Sequence, residues 1–136
     1  MPYLLDASAV VELMLDSKEI LPRVKGAAVL DLTHYEVGAF FWKSWRVRRT
    51  LSSEVARAHL QYLPELLGTL RTLRCEELPP TQVDEVARGT GLSYYDSAYV
   101  AAAETAGLGL ATADQKIVRA CAAREPRVST VSPGGL

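Results

Sequence analysis

The spacing of apolar residues alternates between two periods along this chain. Tyr3-Leu4-Leu5 is a short unbroken apolar run ending at Asp6, and from Ala9 to Leu15 apolar residues recur at helical spacing, which reads as strand, turn, helix. Ala27-Ala28-Val29-Leu30 predicts a second buried strand. The helix after it takes Thr33 as its N-cap and presents Val37, Phe40, Phe41 and Trp45 on one side, the stripe of a helix packed on a sheet. Leu51-Ser52-Ser53-Glu54 opens a helix through Val55, Ala58 and Tyr62, with an interruption or restart at Pro64. A third strand falls between Leu70 and Leu78. Pro79-Pro80 then opens a helix with Val83, Val86 and Ala87 inward, ending near Gly89 and Gly91. An alanine-rich helix begins in Ser93-Tyr94-Tyr95-Asp96 and stops near Gly107-Leu108-Gly109. Leu110-Ala111-Thr112 is a fourth strand, Asp114 to Ala123 another helix, and Arg127-Val128-Ser129-Thr130-Val131 an edge strand. Strands alternating with helices imply an α/β fold whose mostly parallel sheet is covered on both faces.

No repeat or low-complexity linker breaks this pattern, and 136 residues at 49% apolar content suit one domain. The expected domain spans residues 1–131, with 132–136 (Ser-Pro-Gly-Gly-Leu) a flexible tail of turn composition. Fifteen basic against 16 acidic residues leave no global field, so any preference for an anionic partner must come from local patches. Cys75 and Cys121 form no C-x-x-C pair, and His34 and His59 are too few and scattered for a zinc site. The N-terminal apolar stretch contains Asp6 and Glu12 and has no basic leader, and no apolar run approaches the roughly 20 residues of a membrane span. A cytoplasmic protein with reduced thiols and no membrane association is expected.

Four acids carry the chemistry. Each has a structural explanation when taken singly: Thr33-x-x-Glu36 and Ser93-x-x-Asp96 fit the capping box, Asp114 can cap a helix, and Asp6 can end a strand. Together they form a pattern that capping does not require. Asp6 and Asp114 follow strands, while Glu36 and Asp96 stand in first helical turns. In an open α/β sheet all four places lie along the carboxyl edge, where ligands bind at the switch in strand order. Carboxylates crowded there repel one another unless a cation compensates. A hard divalent ion, Mg²⁺ or Mn²⁺, accepts such oxygens and keeps positions open for a substrate phosphate, which predicts phosphodiester hydrolysis.

Leu4-Leu5-Asp6-Ala7-Ser8, Tyr35-Glu36-Val37, Tyr95-Asp96-Ser97-Ala98-Tyr99 and Ala111-Thr112-Ala113-Asp114 resemble the four acidic signatures of PIN-domain nucleases, most like VapC-type toxins of toxin–antitoxin pairs. The resemblance covers nearly the whole chain. It implies a three-layer α/β/α domain with a mostly parallel central sheet of four or five strands. It also implies Mg²⁺-dependent endoribonuclease activity on single-stranded RNA, homodimerisation and inhibition by a cognate antitoxin protein. Carried over, Asp6, Glu36, Asp96 and Asp114 are the catalytic and metal-cluster acids, and Ser8 and Thr112 are supporting hydroxyls. The chain departs from some members in having Lys116, Ile117 and Val118 where another acid occurs, which weakens the case for a second tightly held ion.

Lys43 and Arg46 lie beyond Glu36 in a locally basic segment and are candidate RNA-binding residues; Lys43 is about 10 Å further along a helix on a similar face. Tyr94, Tyr95 and Tyr99 are candidates for base stacking. Trp42 and Trp45 stand in the same helix beyond Glu36, and one of them is a candidate for an interface. Two other classes use the same residues differently: an RNA-processing PIN nuclease without an antitoxin, and a non-catalytic α/β interaction domain in which the acids only cap and no divalent ion binds.

Overall fold

The computed structural model describes residues 2–16 and 18–136, so the expected domain start at residue 1 lies outside them. Five short strands, β1 (Tyr3–Leu5), β2 (Ala28–Leu30), β3 (Arg71–Leu73), β4 (Gly109–Ala111) and β5 (Thr130–Val131), form one sheet in the order β3-β2-β1-β4-β5. Every neighbouring pair is parallel, with Leu4 beside both Ala28 and Leu110. Among the described residues seven α-helices accompany them: α1 (Ala7–Leu15), α2 (Leu21–Val24), α3 (Leu32–Arg46), α4 (Ser53–Gly68), α5 (Pro80–Thr90), α6 (Tyr94–Ala106) and α7 (Gln115–Ala123).

Strand alternation divides the core between the two faces of the sheet. Leu5, Val29 and Ala111 join Val10, Val37, Phe41 and Leu66 from α1, α3 and α4. Leu4, Leu30 and Leu110 join Val86, Tyr99, Val100 and Ile117 from α5, α6 and α7. The result is the three-layer α/β/α arrangement with a five-stranded parallel sheet. Both faces being covered explains why strands of only two or three residues suffice: nearly every side chain of β1, β2 and β4 is buried.

Two local readings are corrected. The helix after β2 starts at Leu32, capped by Asp31, whose Oδ1 accepts from the N–H groups of Leu32 and Cys75 at 3.0 Å each. Thr33 therefore lies inside the helix and is buried, so Thr33 and Glu36 make no capping box. Pro64 does not interrupt α4, which runs unbroken from Ser53 to Gly68. Pro64 is exposed while Leu63, Leu66 and Leu67 are buried, so water can reach the backbone group that the missing N–H leaves unbonded and core packing carries the helix through.

The last five residues, expected to fray, have contacts in the structure. Residues 133–135 form a 3-10 turn, Pro133 is buried, Leu136 packs against the α1–α3–α4 core, and Arg23 donates to the Pro133 carbonyl at 3.0 Å. Among the described residues no helix is long and apolar enough to cross a membrane.

Candidate active site

The strand order reverses between β1 and β4: the chain winds outward from β1 through β2 to β3, then returns to β1's other side for β4 and β5. The helices that follow β1 and β4 therefore pack on opposite faces of the sheet, and in α/β folds ligands bind at the carboxyl ends of such a strand pair. Asp6 follows β1 directly and is 3% exposed. Its Oδ1 accepts from the Ala9 N–H at 2.8 Å, which caps α1, and from Ser8 Oγ at 2.6 Å; its Oδ2 accepts from Thr112 Oγ1 at 2.5 Å. Thr112 follows β4, and its Oγ1 accepts from the Asp114 N–H at 3.0 Å, while Ser8 Oγ accepts from the Ala113 N–H at 2.9 Å. Ser8 and Thr112 thus join two loops more than 100 residues apart in sequence and hold the Asp6 carboxylate between them.

Asp114 caps α7, its Oδ1 accepting from the Lys116 N–H at 2.9 Å, and among the described residues Oδ2 has no hydrogen bond. Asp96 sits in the first turn of α6. That helix is capped by Ser93, whose Oγ accepts from the Asp96 N–H at 3.1 Å, so Asp96 is not the cap. A two-residue link joins the end of α6 to β4, so α6 runs back against the strand and begins at the same carboxyl edge. Glu36, one turn into α3, accepts at Oε1 from the Tyr99 hydroxyl at 2.7 Å.

Burial and neighbouring charge act on three of the four acids. Burial is the largest influence on Asp6 and raises its pKa; the Ser8, Thr112 and Ala9 bonds oppose the rise, and the Asp96 charge adds to it. Glu36 is raised by burial, lowered by its Tyr99 bond, and raised again by the charges of Asp96 and Asp6. Asp96 is raised by burial against its Ser93 bond, then raised by Asp114 and lowered by Lys116. Asp96 is thus the shared neighbour of the other three carboxylates. Among the described residues none of the four is in an ion pair.

That anionic crevice suits a cation of a particular kind. Among the described residues no three carboxylate, imidazole or thiol groups stand together at ligating spacing, so a dedicated cage is not formed. Mg²⁺ commonly takes only one or two carboxylates and completes its shell with water and substrate phosphate, and this donor set fits that habit.

Of the other sequence candidates, Lys43 and Arg46 are exposed in the last turns of α3, beyond Glu36 on the same helix. Tyr94 and Tyr95 are 49% and 59% exposed beside Asp96, whereas Tyr99 is 1% exposed and cannot stack on a base. Trp42 is half-exposed and Trp45 packs into the core. Sequence reasoning missed Tyr99 and Thr33 as neighbours of Glu36; the one available signal was the one-turn spacing of Tyr99 from Asp96 and of Thr33 from Glu36. Ser97, next to Asp96, is fully buried, and among the described residues its hydroxyl has no hydrogen-bond partner. Ser97→Ala is expected to stabilise the fold by about 1 kcal/mol, since it removes an unsatisfied polar group from a helix interior. Thermal unfolding checks this, and a clear loss of stability would show that the hydroxyl is bonded after all.

No protein-family model matches the chain. It is 34% identical over 116 residues to the exonuclease VapC9 of Pyrobaculum aerophilum, an overlap covering 85% of this chain and 83% of that one. The crystal structure of PAE2754 from Pyrobaculum aerophilum superposes with a TM-score of 0.78 at 27% identity, covering 98% of this chain and 90% of the other. A toxin–antitoxin complex from Klebsiella pneumoniae shares the fold with a TM-score of 0.64 at 16% identity, over 96% and 97% of the two chains.

Proposed function

The chain belongs to the VapC family of PIN-domain proteins, and on that premise we propose that it is a Mg²⁺- or Mn²⁺-dependent endoribonuclease acting on single-stranded RNA as the toxin of a toxin–antitoxin pair. What supports this reading is the placement of Asp6, Glu36, Asp96 and Asp114 toward the carboxyl edge of the sheet, where the charge of Asp96 bears on Asp6 and Glu36 and that of Asp114 on Asp96, with none of the four in an ion pair among the described residues.

Asp6 and Asp96 would hold the ion, with Asp114 and Glu36 reaching it directly or through water. The ion would supply positive charge to the scissile phosphate and acidify an attacking water. Asp6 is fixed by three groups around its two oxygens, so its geometry is set before any ligand arrives. Glu36 has one oxygen tied by Tyr99, and the other, without a bond among the described residues, would take the proton of the attacking water. Its raised pKa, caused first by burial and then by neighbouring charge, makes it a better proton acceptor than an exposed glutamate.

A single strand reaches such a crevice with its bases unstacked, and the exposed Tyr94 and Tyr95 rings beside Asp96 offer surfaces for them. Lys43 and Arg46 offset the repulsion between phosphates and acids. Reversing both to Glu is expected to raise the RNA dissociation constant and flatten its salt dependence, by about 0.7 in log–log slope for each phosphate that is no longer neutralised. Filter binding across a salt series reads this; unchanged binding would remove both residues from the RNA path.

The half-exposed Trp42 and the cavity of about 450 Å³ between α1 and α3, lined by Val11, Leu15 and Phe40 beside Ser8 and Glu36, support contact with an antitoxin or a second copy of the chain. A cytoplasmic location fits two unpaired cysteines. The direct test of function is Mg²⁺-supported cleavage of a mixed RNA pool by the purified protein. Because the relative is named an exonuclease, a circular single-stranded RNA belongs in the pool: only an enzyme that cuts internally can open it.

A further inference from the structure

We propose that Tyr99 is a positioning residue for Glu36: its buried hydroxyl, itself held by Thr33, fixes one carboxylate oxygen and leaves a single oxygen of Glu36 free for the reaction. The inference rests on the role given to Glu36 in the proposed function, and it assigns work to two residues that neither cap a helix nor touch the other three acids through a hydrogen bond.

The geometry determines the direction of the relay. Tyr99 OH lies 2.7 Å from Glu36 Oε1 and 2.8 Å from Thr33 Oγ1. A phenol carries one proton and an ionised carboxylate can only accept, so Tyr99 donates to Glu36. The Tyr99 oxygen is then the acceptor for Thr33, whose hydroxyl must be the donor in that pair. The order is Thr33 to Tyr99 to Glu36, across separations of 66 and 63 residues. Both donors are walled off from water, Thr33 at 0% and Tyr99 at 1% exposure, so neither bond is exchanged for one to solvent. Burial also keeps the Tyr99 phenol protonated far above neutral pH, so it remains a donor wherever the site works.

The relay does what α3 alone cannot. Glu36 is half-buried on a helix that covers one face of the sheet, and Tyr99 reaches it from a helix that covers the other. A glutamate side chain has three rotatable torsions, and a single strong bond to one oxygen removes most of that freedom. The two oxygens of the carboxylate thereby become inequivalent: Oε1 is occupied and Oε2 is the proton acceptor.

The test is steady-state cleavage of a defined single-stranded RNA by the wild type, Tyr99→Phe, Thr33→Val, the double variant and Glu36→Gln, each corrected for its folded fraction. Tyr99→Phe keeps the ring in the core and removes only the O–H. Its kcat is expected to fall about 10–100-fold, the usual cost of losing a partner that orients a reacting group, with KM for RNA within about twofold. Thr33→Val is expected to lose less, and the double variant to be no worse than Tyr99→Phe alone, because Thr33 acts only through Tyr99. A merely structural role would lower the folded fraction and leave kcat per folded molecule unchanged. Should Tyr99→Phe not fold, Thr33→Val with a lowered kcat and fixed KM reads the same relay. Wild-type kcat in folded Tyr99→Phe, or independent multiplication of the two losses, overturns the inference alone. An inactive wild type, or Glu36→Gln as active as wild type, overturns the functional reading and the inference with it.

Discussion

Asp96→Asn is expected to lower RNA cleavage at least about 100-fold without unfolding the protein. Losing even a group that only orients a metal ligand costs about 10–100-fold, and Asp96 would be a ligand itself. It is also the one carboxylate that the other three share, so its loss removes the focus of the anionic field as well as an oxygen donor. Asparagine has nearly the same shape, and the Ser93 cap accepts the backbone N–H of residue 96, which the substitution leaves in place. Stability should therefore hold or rise, since a repelling charge has been neutralised. Gel-resolved cleavage of labelled RNA, with Asp6→Asn and an EDTA control alongside, measures the effect. Undiminished cutting by all three would identify a contaminating nuclease and leave the crevice without a demonstrated activity.

Mg²⁺ or Mn²⁺ is expected to raise the thermal midpoint, and to raise it more at pH 8 than at pH 5. Asp6, Glu36 and Asp96 all have folded-state pKa values above their ordinary ones, with burial the leading cause. A carboxylate raised on folding binds its proton more tightly in the native state, so its contribution to stability is greatest at low pH and declines as pH rises through the folded pKa. Without a divalent ion, stability should therefore fall across the acid-to-neutral range for these three groups. A cation reverses that loss only where the carboxylates are ionised. At 100 times its dissociation constant the ion adds about 2.7 kcal/mol, roughly 8 °C for a chain of this size. Differential scanning fluorimetry at both pH values reads the shift, and Asp96→Asn should blunt it. An equal shift at pH 5 and pH 8 would place ion binding elsewhere on the molecule.

Much of the fold was legible because its signals are local. Leu4-Leu5 before Asp6, the alanine run of α6 and the glycines after α5 and α6 each declare themselves within a few residues. Gly91 and Gly107 end their helices with φ of +75° and +67°, a conformation that glycine adopts at little cost. The positions of the four acids relative to strand ends and helix starts were readable for the same reason. The start of α3 was misread because Asp31 and Thr33 are both good caps, and the choice went to Asp31, which also accepts from the Cys75 N–H 44 residues away. Pro64 was misread because its cost is local, whereas the packing of Leu63, Leu66 and Leu67 that outweighs it is not.

By itself the sequence determined the alternation of strands and helices and put a carboxylate at the four places where an α/β sheet can gather them, because hydrophobic period and capping chemistry act over one or two turns of chain. Only the tertiary structure decided that β4 lies against β1, that Ser8 and Thr112 clasp Asp6 between them, and that Tyr99 reaches Glu36. Those pairings join residues about 60 to more than 100 positions apart, and it is the burial of two apolar faces on one sheet, rather than any local preference, that brings them within hydrogen-bonding distance.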